Sequence, residues 1–174
     1  MEITLETKRI ENLEKYEVLD TPPDGYFDEI TSLAAKIFDV PISIISLVDV
    51  DRIWFKSSFG LEAEEIPRSP GLCSSAIMSD AIYIVEDARK DPRTMSNPLV
   101  AGAMGLQFYA AAPLKTIDGY NLGTLCIIDK NPRSLNARES SMLMQLARIV
   151  TGQFEVKLQS RLMFKELQQN LSHN

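Results

Sequence analysis

The chain has little of what catalysis most often needs. Its 174 residues hold one histidine, His173, next to last in the sequence, so a Ser-His-Asp or Cys-His unit has no base in the body of the chain. There are two cysteines, Cys73 and Cys126, far apart and outside any CxxC or HExxH spacing, which disfavours a metal site. Gly102, Ala103, Met104 and Gly105 are not followed by Lys-Ser/Thr, so they make no phosphate-cradling loop, and no GxGxxG follows a strand. Apolar runs are short. None approaches the ~20 residues that span a bilayer, and residues 1–10 alternate charged and apolar side chains where a secretory signal would carry an apolar stretch. A cytoplasmic location is expected, and in that reducing compartment no structural disulfide. Positive charge is also scarce. Lys plus Arg number 18 against 24 Asp plus Glu, a net charge of −6, and the bases are not clustered, which argues against nucleic acid and anionic membrane as partners.

What is present is the balance of a soluble domain: 45% hydrophobic and 24% charged residues, in a length that suits one domain with a packed core. Leu5, Ile10, Leu13 and Tyr16 predict an amphipathic helix over residues 5–19, broken by Thr21, Pro22, Pro23 and Asp24. Phe27, Ile30, Ala34, Ile37 and Phe38 predict a second helix. The β-branched run 42–48 reads as a strand buried on both faces, and after a tight turn at 49–52 residues 53–59 read as its antiparallel partner. Segments 61–79 and 86–105 carry little regular structure apart from a turn or two of helix at 72–78, with a short strand at 82–85 between them. Strands at 106–115 and 120–129 flank the hairpin signal Asp118-Gly119. Asn136 and Glu139 have the spacing of a capping box, and no proline interrupts the ~35 residues that follow, about 50 Å of helix. The order predicts an α+β domain on a largely antiparallel sheet of five to six strands. Two irregular segments of that length, placed over one sheet face, would enclose a pocket.

Asp49-Val50-Asp51, Asp87 and Asp91-Pro92-Arg93 read as loops fastened by side-chain to backbone bonds. Cys126, within a strand, reads as a small buried hydrophobe. Cys73 stands at the start of a short helix, where a lowered thiol pKa would make it reactive or ligand-touching.

Several segments, in order, resemble the GAF domain family of sensor modules, in particular those preceding bacterial histidine kinases and diguanylate cyclases. They are Leu19-Asp20-Thr21-Pro22-Pro23 with Phe27-Asp28, Ile45-Ser46-Leu47-Val48-Asp49 with Asp51-Arg52 and Trp54-Phe55-Lys56-Ser57, Gly60-Leu61, Pro67-Arg68, and Cys73 with Ala76-Ile77. Val85 with Asp87-Ala88, Asp91-Pro92-Arg93, Asn97-Pro98-Leu99-Val100, Phe108-Tyr109-Ala110, Ala112-Pro113-Leu114 and Leu122-Gly123-Thr124-Leu125-Cys126 with Asp129 complete the set. The resemblance covers residues 10–155. It implies a central antiparallel sheet with terminal helices on one face and a ligand pocket under loops and short helices on the other. It also implies no enzyme activity. The subfamily's Cys-x-His reads Cys-x-Ser here, at Ser75, and no histidine is placed to attach a bilin or ligate haem, so neither cofactor is expected. The Asn-Lys and Phe-x-x-x-Asp-Glu pattern of cyclic-nucleotide binders is missing. GAF methionine-sulfoxide reductases commonly use three cysteines, and this chain has two.

Strand alternation groups Tyr109, Ala111 and Pro113 against Phe108, Ala110, Ala112 and Leu114, and Thr124, Cys126 and Ile128 against Leu125 and Ile127. The more polar sets point to Tyr109, Thr124 and Cys126 as pocket residues, with Arg68, Cys73, Ser75 and Asp87 from the covering loops. Arg68 would favour an anionic group. In the last helix Met142, Ile149, Val156 and Met163 lie seven apart, with Leu146 and Leu167 on companion positions, while Leu143, Val150, Phe164 and Leu171 make a second stripe. Two stripes predict a parallel homodimer. The domain is expected over residues 1–155, with 156–174 as a signalling extension. The expected function is a sensory module that binds an unknown small molecule and acts on an output domain such as a histidine kinase or diguanylate cyclase, in two-component or cyclic di-GMP signalling. The alternatives are a Cys73-dependent redox enzyme and a ligand-free dimerisation module.

Overall fold

A computed structural model of the chain describes residues 4–69, 71–102 and 104–173. Residues 1–3 of the alternating amino terminus, Ala103 of the 102–105 stretch, Pro70 and Asn174 lie outside the described residues.

Helix α1, Leu5–Lys15, starts at Thr4, whose side chain accepts from the Thr7 N–H. It is shorter than expected because Glu17 and Asp20 adopt left-handed φ of 51° and 59°, which no α-helix accommodates. Asp24 caps α2, Gly25–Phe38. Strand β1, Ile42–Val48, is buried throughout. The Asp49 N–H donates to the Arg52 carbonyl at 2.9 Å, closing the turn into antiparallel β2, Arg52–Phe59. Two elements correct the expectation of irregular chain: β3, Glu65–Pro67, adds an edge strand to β2, and a four-residue helix α4, Pro98–Ala101, is capped by Asn97. Both are too short to set a period legible in sequence. Between them lie α3, Cys73–Ala76, and β4, Tyr83–Val85. Strands β5, Phe108–Lys115, and β6, Asn121–Asp129, follow, joined through Gly119 at φ 90°. Helix α5, Ala137–Ser172, opens with the Asn136/Glu139 capping box and at 36 residues is about 54 Å long. Among the described residues no helix is long and apolar enough to cross a membrane.

The six strands form one antiparallel sheet in the order β3-β2-β1-β6-β5-β4. Its two faces carry separate cores. Ile45 and Leu47 of β1, Phe108, Ala110, Ala112 and Leu114 of β5, and Leu125 and Ile127 of β6 pack on α1, α2 and α5. The alternate residues Ile42, Ile44, Tyr109, Ala111, Cys126 and Ile128 face α3 and the covering segments. A β-bulge between Ile45 and Ser46 leaves Lys56 without a partner in β1. The Lys56 ammonium donates to Thr21 Oγ1 and to the Pro22 carbonyl, both at 2.8 Å. Phe27 and Phe154 lock α2 to α5, with ring centroids 5.1 Å apart. Past Leu158 the helix leaves the core, and Met163, Phe164, Leu167 and Leu171 stand exposed.

Candidate functional site

The covered sheet face holds a cavity of about 380 Å³. Its floor is Ile42 and Ile44 of β1, Phe55 of β2, Tyr109 of β5, and Cys126 and Ile128 of β6. Its roof comes from both long covering segments, through Leu61, Ala63 and Ile66 on one side and Leu99, Met104 and Leu106 on the other. Apolar walls around a few oriented polar groups are the usual make-up of a small-molecule pocket. Lys130, at the mouth, is exposed and has no side-chain partner among the described residues.

The polar groups gather at one end. Cys73, in the first turn of α3, receives hydroxyl hydrogen bonds from Tyr109 at 3.2 Å, Ser46 at 3.3 Å and Thr124 at 3.5 Å. Ser46 and Thr124 are partners across β1 and β6, with their hydroxyls 3.0 Å apart. Both cysteines are free thiols, buried against each other. The Cys126 thiol hydrogen bond, aided by the three hydroxyls, holds the Cys73 thiol below the ordinary cysteine range although burial opposes it. Cys126 moves the other way, because the proton it shares with Cys73 and its burial both favour the neutral thiol. Burial keeps the Tyr109 hydroxyl protonated and therefore a donor. The expected source of a lowered Cys73 pKa, a helix amino terminus, is corrected: α3 has four residues, and the donors come from the sheet.

A second, more open hollow of about 770 Å³ lies beside the first and is lined by Arg68, Ser74, Ser75 and Arg93 among others. Its guanidinium groups are engaged within the protein. Arg68 donates to Glu6 at 2.6 Å and to the Asp49 carbonyl at 3.0 Å, and Arg93 donates to Asp91 and to the Ile84 carbonyl, each at 2.7 Å.

The seven residues singled out in the sequence therefore separate. Cys73, Tyr109 and Cys126 line the cavity, and Thr124 meets Cys73 behind its wall. Arg68 and Ser75 line the neighbouring hollow. Asp87 stands apart from both and pairs with Arg89 at 3.1 Å. Ser46 was not singled out, yet it completes the set around Cys73. Its signal was a hydroxyl in the otherwise apolar alternating set Ile42, Ile44, Ser46, Val48. Among the described residues no three His, Cys, Asp or Glu side chains gather to hold a metal.

A sequence profile described as GAF domain matches residues 22–154. A cyclic di-GMP phosphodiesterase of Pseudomonas aeruginosa is 42% identical over 134 residues, 76% of this chain, and the chain spans 23% of that relative's length. Two solved structures share the fold. The GAF domain of Thermosynechococcus elongatus PixJ in its blue-light absorbing form superposes with a TM-score of 0.65 at 12% identity, covering 99% of each chain. The free methionine-R-sulfoxide reductase of Neisseria meningitidis, in complex with its substrate, superposes with a TM-score of 0.64 at 20% identity, covering 87% of this chain and 91% of the other.

Proposed function

The chain belongs to the GAF domain family, and on that premise we propose that it is a regulatory module of signal transduction that senses a small molecule and is not itself catalytic. The observation that carries the proposal is the apolar cavity of about 380 Å³ on the face opposite α5. A ligand there would touch Cys126 and Ile128, while their strand neighbours Leu125 and Ile127 belong to the core packed on α5. Pressure on one face of β6 would thus be felt on the other, because close-packed interiors transmit small displacements. Residues 156–174 serve in this reading as the transmitting extension. The output is an attached or partner domain of the cyclic di-GMP or histidine-kinase kind, the former supported by the 42% identical relative. A second copy of the chain covers the exposed stripe at Val156, Met163 and Leu167, giving a parallel homodimer.

Thermal denaturation against a panel of small apolar and amphipathic metabolites tests the reading, with Ala63→Phe as the variant whose roof residue grows into the cavity. A ligand at ten times its Kd should raise wild-type stability by about 1.4 kcal/mol and leave Ala63→Phe unmoved. Equal stabilisation of both proteins, or of neither by any compound, would overturn it. Carboxylates compared on wild type and Arg68→Ala test whether Arg68 contributes an anion contact from the neighbouring hollow.

A further inference from the structure

The cavity wall holds a nucleophile for which ligand sensing has no use. Cys73 Sγ accepts from three hydroxyls within 3.5 Å, contributed by β1, β5 and β6, and Cys126 adjoins it. A thiol needs no such set of donors, since sulfur accepts weakly when neutral. A thiolate does, because its charge is stabilised only by directed donors when water is excluded. Both cysteines are also among the residues that line the cavity, so a molecule occupying it lies against them.

We propose that Cys73 and Cys126 form a redox-sensing dithiol that an organic hydroperoxide entering the apolar cavity converts to a disulfide, one event per chain and so without making the module an enzyme. The Cys73 thiolate attacks the distal peroxide oxygen: the S–O bond forms, the O–O bond breaks, and its electron pair leaves on the alkoxide, which water protonates to the alcohol. Cys126 then loses its proton and attacks the sulfur of the Cys73 sulfenic acid. The S–S bond forms, the S–O bond breaks, and the departing hydroxide takes up a proton as water. Two thiols lose two electrons, and one hydroperoxide becomes one alcohol and one water. A small dithiol reductant reverses the oxidation by exchange. The apolar walls favour alkyl or aryl hydroperoxides over hydrogen peroxide, and Tyr109 and Thr124, whose hydroxyls bear on Cys73, are positioning residues.

The geometry also separates the two thiols in role. The thiol that accepts the hydroxyls is the one held low in pKa, so Cys73 attacks first, and Cys126, held high, resolves.

The proposal extends the sensing role to the same cavity, and its test is independent of reversible binding. The purified chain is treated with cumene hydroperoxide, and intact mass and peptide maps are read. The expected product has lost two hydrogens and contains a Cys73–Cys126 disulfide that dithiothreitol reverses. Cys126→Ala should stop at a Cys73 sulfenic acid trapped by dimedone, and Cys73→Ala should yield neither product. Tyr109→Phe, which keeps the ring, should slow the reaction about tenfold with cavity binding retained, an outcome that a purely structural tyrosine would not give. Methionine oxidation without thiol loss, intermolecular disulfides only, or a rate in the folded protein no higher than in the urea-unfolded chain would each overturn it. If it fails while the metabolite panel still finds a ligand blocked by Ala63→Phe, the sensing role stands without the redox site. If the panel finds none and the disulfide forms, the redox site stands alone.

Discussion

Tyr109 Oη, at the start of β5, donates to Cys73 Sγ of α3 at 3.2 Å, so one hydrogen bond ties the cavity floor to the helix above it. Asn121 at the start of β6 makes a second tie, donating from Nδ2 to the Ile77 carbonyl just past α3 at 3.1 Å. The short helix is thereby held to two adjacent strands, and any ligand or oxidant that disturbs Cys73 pulls on both.

Removal of the tyrosine hydroxyl should weaken that tie with little loss of packing. Tyr109→Phe is expected to cost about 1 kcal/mol of stability by urea denaturation, the usual worth of one hydrogen bond, and to move the midpoint of the pH–rate profile for Cys73 alkylation upward. An unchanged midpoint would show that the hydroxyl does not stabilise the thiolate.

Stability should depend on pH through the same sulfur. The folded-state pKa of Cys73 is pulled down to about 6 by the Cys126 thiol and the three hydroxyls, against an unfolded value of about 8.5. Between those values the unfolded chain binds more protons at this thiol, so the Cys73 contribution rises with pH and is lost as pH falls through about 6, whereas above about 8.5 the raised Cys126 thiol keeps its proton in the folded chain and stability turns down again. Cys73→Ala should flatten the rise. Denaturation midpoints measured from pH 5.5 to 9 on both proteins check it.

At Gly123, β6 passes too near β1 to carry a side chain. A Cβ there would stand 1.8 Å from the Ser46 carbonyl oxygen, and the obstacle is backbone, which cannot swing aside. Gly123→Ala is expected to destabilise by about 3 kcal/mol or more and to disturb the Ser46–Thr124 pair beneath Cys73. A loss under 1 kcal/mol would mean that the two strands part freely.

The free half of α5 should set the oligomeric state and leave the domain intact. Met163 is 64% exposed and Leu167 56%, on one side of a helix that has already left the core. Met163→Glu with Leu167→Glu should turn a dimer into a monomer in sedimentation velocity, with the thermal midpoint of the domain changed by no more than surface substitutions usually bring, about 0.5 kcal/mol. A wild-type monomer at high concentration would remove the homodimer.

Much of the scaffold was written in local pattern. The all-apolar run of β1 marked a strand covered on both sides, the Asp118-Gly119 hairpin fixed β5 against β6, and Asn136 with Glu139 marked the start of α5 to the residue. Alternation along β5 and β6 also sorted their side chains between the two cores. The short elements β3 and α4 escaped because three or four residues carry no period, and the end of α1 was misjudged because left-handed Glu17 and Asp20 have no glycine to announce them.

Residue type and spacing by themselves determined the longer strands, the long helix and the resemblance to one family, since these depend on patterns that run along the chain. Only the tertiary structure decided that Arg68 spends its charge on Glu6, that Asp87 stays outside both hollows, and that Ser46, Thr124, Tyr109 and Cys126 converge on Cys73. Those meetings join β1, α3, β5 and β6, and contact between distant segments is set by strand order and register, for which no local pattern exists.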